Sequence, residues 1–328
     1  MAKRQLSVSV ETLALAEPFR ISGYVFESCD AVVATIVEDG ASGRGEASGV
    51  YYTGDDVPAM QAAIERVRAE IEAGADRQAL RELLPPCGGR NALDCALWDL
   101  EAKQKGVRAW TLAGRERLDP VKTCFTISLG DPDAMADAAR AEARRPMLKL
   151  KIGGPDDLDR VAAVRRAAPK TRLIVDANEA LTFEELRRLA PELKRLEVLL
   201  IEQPLPVAED EALVGYVSPV PLCADESLHT RAELAACAAR YTVANVKLDK
   251  TGGLTEALAL AAEATAMGME IMAGCMVATS LAIAPALLIA QGAAFVDLDG
   301  PLLLARDREP GLVITGSLIE PPPPELWG

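Results

Sequence analysis

The amino-acid sequence predicts an α/β protein in which a parallel barrel of eight strands follows a smaller α+β domain. In the region 147–252, five short apolar runs each end in a charged residue, and these residues lie 22 to 26 positions apart. Such an interval holds one strand, one helix and two loops, and buried parallel strands read as continuous apolar runs. Before residue 120, strand-like segments come first and helix-like segments follow, which is typical of a separate α+β domain.

The elements of the first domain follow from the periodicity of its apolar residues. Residues 4–13 and 30–39 alternate apolar and polar side chains, which indicates antiparallel strands. The segment 18–30 contains glycine and aromatic residues and is predicted to be a loop. Apolar residues at helical spacing predict helices at 58–73 and 91–105.

These patterns also predict the domain boundaries. Residues 1–120 are assigned to the α+β domain and residues 121–300 to the barrel, while the tail 301–328 is expected to return and pack on the first domain. The predicted barrel strands lie in KTCFTISLG, MLKLKIGG, LIVDANE, LLIEQPL, LCADES, ANVKLDKTGG, MEIMAG and AFVDLDG.

The composition restricts the class of protein. A net charge of −14 argues against nucleic acid and anionic membrane surfaces as partners. The segment 271–296 has no charged residue, but its glycine, proline and polar residues favour two buried strands flanking a buried helix over a membrane span. Seven cysteines without a C-x-x-C pair, and an N-terminus without a signal-peptide pattern, predict a cytoplasmic protein with reduced thiols. A homo-oligomer is the general expectation.

Three of the run-ending residues are carboxylates that would lie at one mouth of the barrel, namely Asp176, Glu202 and Asp225. The C-terminal ends of barrel strands are where such folds carry their chemistry. Neighbouring carboxylates repel one another unless a cation lies between them, and an all-oxygen set suits Mg²⁺. Asn178 and Gln203 are expected to orient these ligands. The simpler alternative is that each carboxylate only caps the helix after its strand.

Lysines occupy the remaining strand ends. Lys149 and Lys151 are two residues apart, so both point to the same side of their strand, into the barrel. A lysine there is costly unless it is used. Lys247 ends the sixth strand and Lys151 the second, so they would face each other across the barrel. Such a lysine acts as a base once a neighbouring cation lowers its pKa; alternatively, the lysines only pair with the carboxylates.

Together these residue types predict a proton-transfer reaction. Mg²⁺ would bind a substrate carboxylate and stabilise the charge that forms when the α-proton leaves. One lysine would remove that proton and the other would return a proton from the opposite face, which inverts the carbon without a redox cofactor. A lysine base combined with Mg²⁺ is the pattern of the enolase superfamily.

The chain resembles the muconate-lactonising subgroup of that superfamily over nearly its whole length. The matching pieces are the K-x-K of KLKIG, DAN, EQP, ADES and NVKLDKTGGLTEALAL. The resemblance implies a modified TIM-type (β/α)7β barrel with an α+β capping domain over its mouth. It also implies that Lys151 and Lys247 are the acid/base pair and that Lys149 assists them. The implied metal ligands are Asp176, Glu202 and Asp225.

Within this subgroup the chain is most similar to dipeptide epimerases of the L-Ala-D/L-Glu type. NALDCALWDLEAK, GCMVATS and above all Asp297 and Asp299 in VDLDGPLLLA carry this narrower resemblance. Such epimerases use the D-x-D pair to hold the α-ammonium group of the dipeptide. Two aspartates on one strand face also suit a cationic group on physical grounds, although such pairs are common at strand ends.

One departure concerns the second residue of the dipeptide. In the Ala-Glu enzymes the first capping loop usually carries an arginine that meets the substrate's side-chain carboxylate, whereas SGYVFES has no basic residue. Arg20 lies earlier and is the remaining basic candidate. The loops offer four aromatic side chains instead, namely Tyr24, Phe26, Tyr51 and Tyr52. They favour an apolar or aromatic second residue, unless they only pack the capping domain. Asp55 and Asp56 would permit a cationic one.

Two other functions stay open at this point. The first is another reaction of the subgroup, such as N-acylamino-acid racemisation, cycloisomerisation or dehydration of a carboxylate. The second is a barrel that binds a small molecule without turnover, against which the complete set of lysines and carboxylates argues.

Overall fold

The computed structural model describes residues 4–154 and 157–328. This part of the chain contains a three-stranded antiparallel sheet, an eight-stranded parallel sheet and a second, short three-stranded sheet. The predicted α/β architecture is confirmed, with the antiparallel sheet in the capping domain and the parallel sheet as the barrel.

The capping domain begins with a long hairpin. Its sheet contains β1 (Gln5–Ile21), β2 (Tyr24–Glu38) and β3 (Ala41–Ala47). The prediction of a loop at 18–30 is wrong, because β1 and β2 continue to a tight turn at Ser22 and Gly23. Phe19 pairs with Phe26 across this extension, and cross-strand aromatic pairs stabilise antiparallel strands. Gly23 supplies the left-handed conformation of the turn, with φ 77°.

Helices complete the capping domain. They are α1 (Val57–Arg66), α2 (Arg68–Glu72), α3 (Arg77–Leu83), α4 (Gly88–Lys105) and α5 (Ala109–Leu112). The helix predicted at 58–73 is split at Val67, whereas the helix predicted at 91–105 is α4, which begins three residues earlier. α4 lies directly against β3, since a Cβ atom on Gly45 would lie 2.2 Å from the Ala92 carbonyl oxygen.

The barrel strands lie side by side in chain order. After β4 (Val121–Lys122) they are β5 (Phe125–Ile127), β6 (Met147–Lys151), β7 (Arg172–Asp176), β8 (Val198–Glu202), β9 (Leu222–Ala224), β10 (Val243–Val246), β11 (Glu270–Gly274) and β12 (Phe295–Asp297). The Cys124 N–H donates to the Val296 carbonyl oxygen at 2.9 Å, which brings the first strand beside the last, so the barrel is nearly closed.

Helices connect most of these strands. They are α6 (Pro132–Ala141), α7 (Asp157–Ala167), α8 (Phe183–Arg195), α9 (Arg231–Ala238), α10 (Leu248–Thr251), α11 (Leu254–Ala266), α12 (Ser280–Ala290) and α13 (Gly300–Leu303). The connection from β8 to β9 has only a 3-10 turn, Asp210–Leu213. The uncharged segment 271–296 is strand, helix and strand as predicted. No described helix has the length and apolarity that a membrane crossing requires.

The C-terminal tail contacts both domains. β13 (Ile314–Thr315) and β14 (Leu318–Ile319) form the short sheet with β4. Trp327 is fully buried, and its indole Nε1–H donates to the Cys95 carbonyl oxygen of α4 at 3.0 Å. The Gly328 N–H donates to Asp99 of the same helix at 2.7 Å. The domain boundaries themselves stay a prediction.

Candidate active site

The predicted site residues lie in one row across neighbouring strands. Lys151 on β6 is in register with Asp176 on β7, and Asp176 is in register with Glu202 on β8. Asp225 directly follows β9, and all four side chains are buried. Parallel strands in register present the same end to one mouth of the barrel, so the structure brings these side chains together.

Lys149 lies two residues before this row on β6, and its amino group contacts three carboxylates. Its Nζ is 3.0 Å from Asp176 Oδ2, 2.8 Å from Glu202 Oε2 and 2.7 Å from Asp297 Oδ2. Lys151 donates to Asp176 Oδ2 at 2.6 Å and to Asn178 Oδ1 at 2.9 Å. The buried ammonium group of Lys149 thus neutralises carboxylates at the ends of three different strands.

A second lysine pair lies on the other side of the barrel. Lys247 donates to Asp225 Oδ2 at 2.6 Å, and Lys250 lies 2.5 Å from Asp225 Oδ1. Lys250 also donates to the Asn245 carbonyl oxygen at 2.9 Å, while the Asn245 amide donates to Glu202 Oε1 at 2.8 Å. Sequence reasoning missed Lys250 and Asn245. The signal for Lys250 was a lysine three residues after Lys247 in an otherwise buried segment.

The carboxylates determine the protonation of these lysines. Burial opposes the charge on Lys247, but Asp225 and Glu202 outweigh it and raise the pKa of Lys247 well above its ordinary value. Lys149 has a raised pKa for the same reason, through Asp176 and Asp297. The expected lowering of a lysine pKa is therefore not found for Lys149 or Lys247 while lysines are the only cations in contact with the carboxylates. A cation bound by the same carboxylates would act in the opposite direction.

The D-x-D pair lies at the end of β12. Asp297 accepts a hydrogen bond from Lys149, and the Cys124 thiol donates to its other oxygen at 3.0 Å. Asp299 accepts from the Thr126 N–H at 2.7 Å. Burial and the neighbouring Asp297 raise the pKa of Asp299 to about 6.

These groups open into a cavity of about 110 Å³ between the barrel and the capping domain. The barrel contributes charged residues to its lining, namely Lys149, Lys151, Lys247, Asp297 and Asp299. The capping domain contributes apolar and aromatic side chains, including Phe19, Ile21, Phe26 and Tyr51, and no lysine or arginine among the described residues.

The capping residues predicted to contact substrate differ in position. Phe26 and Tyr51 line the cavity, with ring centroids 5.4 Å apart. Tyr24 is 47% exposed and packs against both rings from outside. Phe19 and Ile21 line the cavity, so Arg20 between them points to the other side of β1, where it lines a neighbouring cavity.

Comparisons of sequence identify the family to which this arrangement belongs. Residues 133–310 match the family described as "Enolase C-terminal domain-like". Residues 3–114 match "Mandelate racemase / muconate lactonizing enzyme, N-terminal domain". The chain belongs to the mandelate racemase/muconate lactonizing enzyme family.

Several members of this family are closely similar to the chain. The L-Ala-D/L-Glu epimerase of Escherichia coli (strain K12) is 42% identical over 95% of this chain and 98% of its own. The N-acetyl-D-glutamate racemase of Pseudoalteromonas sp. is 46% identical over 75% of this chain and 78% of its own. A solved structure from Agrobacterium tumefaciens is 48% identical to this chain, with a TM-score of 0.97. It is an enolase family member with homology to dipeptide epimerases and contains bound sodium and L-Ala-L-Glu. The alignment covers 99% of this chain and 100% of the solved chain.

Members of the family have also been solved with Mg. The dipeptide epimerase of Methylococcus capsulatus, complexed with Mg and L-Arg-D-Lys, is 30% identical to this chain. It covers 98% of this chain and 97% of that chain, with a TM-score of 0.90.

The residues of this chain fit such a metal. Asp176, Glu202 and Asp225 supply an all-oxygen donor set, which hard divalent cations prefer. Glu202 Oε2 is buried and accepts no hydrogen bond, and its contact is the Lys149 ammonium group at 2.8 Å. Ammonium groups occupy the other inner oxygens, and in the described residues no group of three His, Cys, Asp or Glu side chains is already spaced to hold an ion. Metal binding would therefore require these lysines to share the carboxylates.

Proposed function

We propose that this chain is a Mg²⁺-dependent dipeptide epimerase that inverts the α-carbon of the second residue of a dipeptide. The observation that carries this proposal is the position of Lys151 and Lys247. Both line one cavity, and their strands, β6 and β10, are four positions apart in a barrel of eight. The two amino groups therefore belong to opposite walls.

A carbon held between these walls can lose a proton from one face and gain a proton on the other. Lys151 in its amine form takes the α-proton of one epimer, and Lys247 in its ammonium form donates a proton to the opposite face. The other epimer reacts in the reverse sense. One C–H bond breaks and one forms, so no oxidant is needed, and each acid–base step contributes about 10²–10⁴-fold to the rate.

Fixed positive charge supports removal of this proton. Asp176, Glu202 and Asp225 would hold Mg²⁺, which supplies a positive charge for the substrate carboxylate as the α-proton leaves. Lys149 adds a second cation at the same end of the cavity, and its three carboxylate contacts fix its position.

The D-x-D pair suits the free ammonium group of a dipeptide. Asp297 is already paired with Lys149, whereas Asp299 has the Thr126 N–H as its hydrogen-bond donor. Asp299 is therefore the carboxylate that would pair with the substrate's ammonium group. An N-acylated amino acid has no such group and would leave this buried anion without a counter-charge.

The aromatic wall would contact the side chain of the second residue. Phe26 and Tyr51 face the cavity, Tyr24 supports them, and Arg20 points away. Because this wall offers no cation, neutral apolar or aromatic second residues should react at least as efficiently as glutamate. A kcat/KM for L-Ala-L-Glu more than tenfold above every apolar dipeptide would contradict this assignment of the wall and leave the epimerase proposal intact.

The test is a substrate panel in D₂O with Mg²⁺, read by mass spectrometry for gain of one deuteron and by chiral chromatography for inversion. The panel contains L-Ala-L-Glu, L-Ala-L-Leu, L-Ala-L-Phe, L-Ala-L-Lys and N-acetyl-L-glutamate. The proposal predicts inversion of one or more dipeptides, and a loss of at least tenfold in their kcat/KM in the Asp299→Asn variant.

N-acylamino-acid racemisation is the second candidate, favoured by the 46% identity to the N-acetyl-D-glutamate racemase. The same panel separates the two functions. Inversion of N-acetyl-L-glutamate alone, at a rate that Asp299→Asn does not change, would replace the first proposal with the second.

A further inference from the structure

We propose that Asp249 is a positioning residue that couples the capping loop 48–52 to Lys247; this inference rests on the proposed function. Asp249 lies in α10, a single helical turn for which Lys247 is the N-cap residue. Its carboxylate contacts the capping domain, where Oδ1 accepts hydrogen bonds from the Ser48 N–H at 3.1 Å and the Gly49 N–H at 3.0 Å.

The two backbone donors belong to a segment that is fixed on both sides. The Ser48 hydroxyl donates to the Val277 carbonyl oxygen at 2.8 Å, and the Cys29 thiol donates to the same oxygen at 3.3 Å. Ser48, Gly49 and Val277 all line the substrate cavity. The capping segment thus bridges the barrel loop after β10 and the barrel loop after β11.

Gly49 makes this approach possible. Its φ is 72°, and a Cβ atom there would lie 2.0 Å from the Asp55 carbonyl oxygen. A side chain at this position would collide with Asp55 and shift the segment that carries the two N–H donors. The chain then continues to Tyr51, which lines the cavity, and to Tyr52, whose hydroxyl lies 3.1 Å from His229 Nε2 of the barrel.

The position of α10 depends on side-chain contacts, because one helical turn has little stability of its own. On one side, Lys247 and Lys250 contact Asp225. On the other side, Asp249 bonds the capping segment. The end of α10 is also held, because Arg90 of α4 donates to the Thr251 carbonyl oxygen at 2.6 Å. Loss of the Asp249 contact would release the start of α10, next to Lys247, from the capping segment, so Lys247 and the aromatic wall would lose their fixed orientation.

Asp249 has little value for stability in itself. It is 5% exposed, and no lysine or arginine forms an ion pair with it in the part of the chain that the structure describes. Burial raises the pKa of Asp249 to about 7. A buried carboxyl without a cation is costly, which agrees with a role in placing the capping loop and Lys247.

This coupling predicts an asymmetric defect. Lys247 removes the α-proton of one epimer only, and that epimer is identified as the one that a Lys151→Ala variant still exchanges with D₂O. Asp249→Ala should slow exchange of this epimer at least tenfold more than exchange of the other epimer. Asp249→Asn keeps an acceptor oxygen for both N–H groups and should leave the ratio of the two rates within about threefold of the parent enzyme.

The experiment measures initial deuterium incorporation into each epimer separately, with Mg²⁺ and the best dipeptide of the panel. Asp249→Glu retains the charge but displaces it by one methylene, so it should show the same difference between the two epimers. It replaces Asp249→Ala in the experiment if that variant does not fold. Asp94→Ala is the matched control, since Asp94 makes a different contact between the capping domain and the barrel, to the N–H and hydroxyl of Thr255 at 2.9 and 2.6 Å.

The outcomes separate this inference from the proposed function. An unchanged ratio in Asp94→Ala and a shifted ratio in the Asp249 variants support the coupling. Equal slowing of both epimers by Asp249→Ala and Asp249→Glu, or the same shift in Asp94→Ala, would overturn it. Absence of exchange by the parent enzyme with every dipeptide would instead refute the proposed function.

Discussion

At the scale of single residues, the site contains four buried carboxylates that each have a lysine in contact, namely Asp176, Glu202, Asp225 and Asp297. Asp225 contacts Lys247 and Lys250, and Asp176 contacts Lys149 and Lys151. Buried charges are tolerated when they are paired and hydrogen-bonded, and removing one partner alone is strongly destabilising. Substitutions of these paired carboxylates should therefore be isosteric, such as Asp to Asn.

Mg²⁺ binding provides a test of the metal ligands that does not depend on activity. A ligand that binds only the folded state stabilises it, so Mg²⁺ at about 100 times its Kd should raise the Tm by about 3–5 °C. Asp225→Asn should abolish this rise. Asp210→Asn is the control, because Asp210 is buried against Arg240 and Tyr241, outside the set of buried charges described above. A full Mg²⁺-dependent rise in Asp225→Asn would contradict its assignment as a metal ligand.

The positions of the lysines and carboxylates were predictable because each ends an apolar run, and the run reveals where the strand stops. Lys250 and Asp249 were not predictable in this way. They lie in a single helical turn after β10, which is too short to show a helical period. The raised pKa of Lys247 was not predictable either, because its contact with Asp225 depends on distances that spacing in the sequence does not give.

At the scale of elements, hydrophobic patterns predicted most strands and helices but not the extent of the first hairpin. The sequence predicts a loop at 18–30 because glycine and aromatic residues interrupt the alternation there. In the structure the aromatic residues of this stretch pair across the turn or line the cavity. These tertiary contacts stabilise the strands without the alternation of apolar and polar residues. The extended hairpin is what carries Phe19 and Phe26 over the mouth of the barrel.

Another pair of elements gives a prediction about pH. Asp94 in α4 accepts hydrogen bonds from Thr255 at the start of α11, and burial raises the pKa of Asp94 from 3.8 to about 6. Between about pH 4 and pH 6 the folded protein binds more protons at Asp94 than the unfolded chain does. The free energy of unfolding therefore falls as pH rises through this window, by about 3 kcal/mol for a shift of about two pKa units.

Asp94→Asn removes this titration and keeps an acceptor for the Thr255 N–H. We expect the stability of the variant relative to the parent to increase by about 3 kcal/mol between pH 4 and pH 7, as measured by urea unfolding. Other buried carboxyls are common to both proteins and cancel in the difference. A constant difference across this pH range would show that folding does not raise the pKa of Asp94.

At the scale of the whole molecule, the tail holds the capping domain and the barrel together. The short sheet of β4, β13 and β14 lies on the barrel side, and Trp327 is buried against α4 on the capping side. The barrel was predictable from the regular spacing of its strands. The contacts of Trp327 with α4 were not, because they join residues that are far apart in sequence and follow no periodic pattern.

Trp327→Ala should lower the free energy of unfolding by about 3–5 kcal/mol, the usual cost of deleting a buried tryptophan. Trp327→Phe retains most of the apolar area and loses the hydrogen bond to the Cys95 carbonyl oxygen, so its loss should be clearly smaller. Urea unfolding followed by circular dichroism measures both. Equal, small losses in the two variants would mean that the tail contributes little to holding the capping domain.

The central claim is that two lysines on opposite walls exchange the α-proton of one dipeptide. The most direct measurement is deuterium incorporation from D₂O into each epimer separately, by the Lys151→Ala and Lys247→Ala variants. Both variants should lose inversion, while each still exchanges a single epimer, and the epimer should differ between the two. Inversion by either variant, or exchange of the same epimer by both, would contradict the two-lysine account.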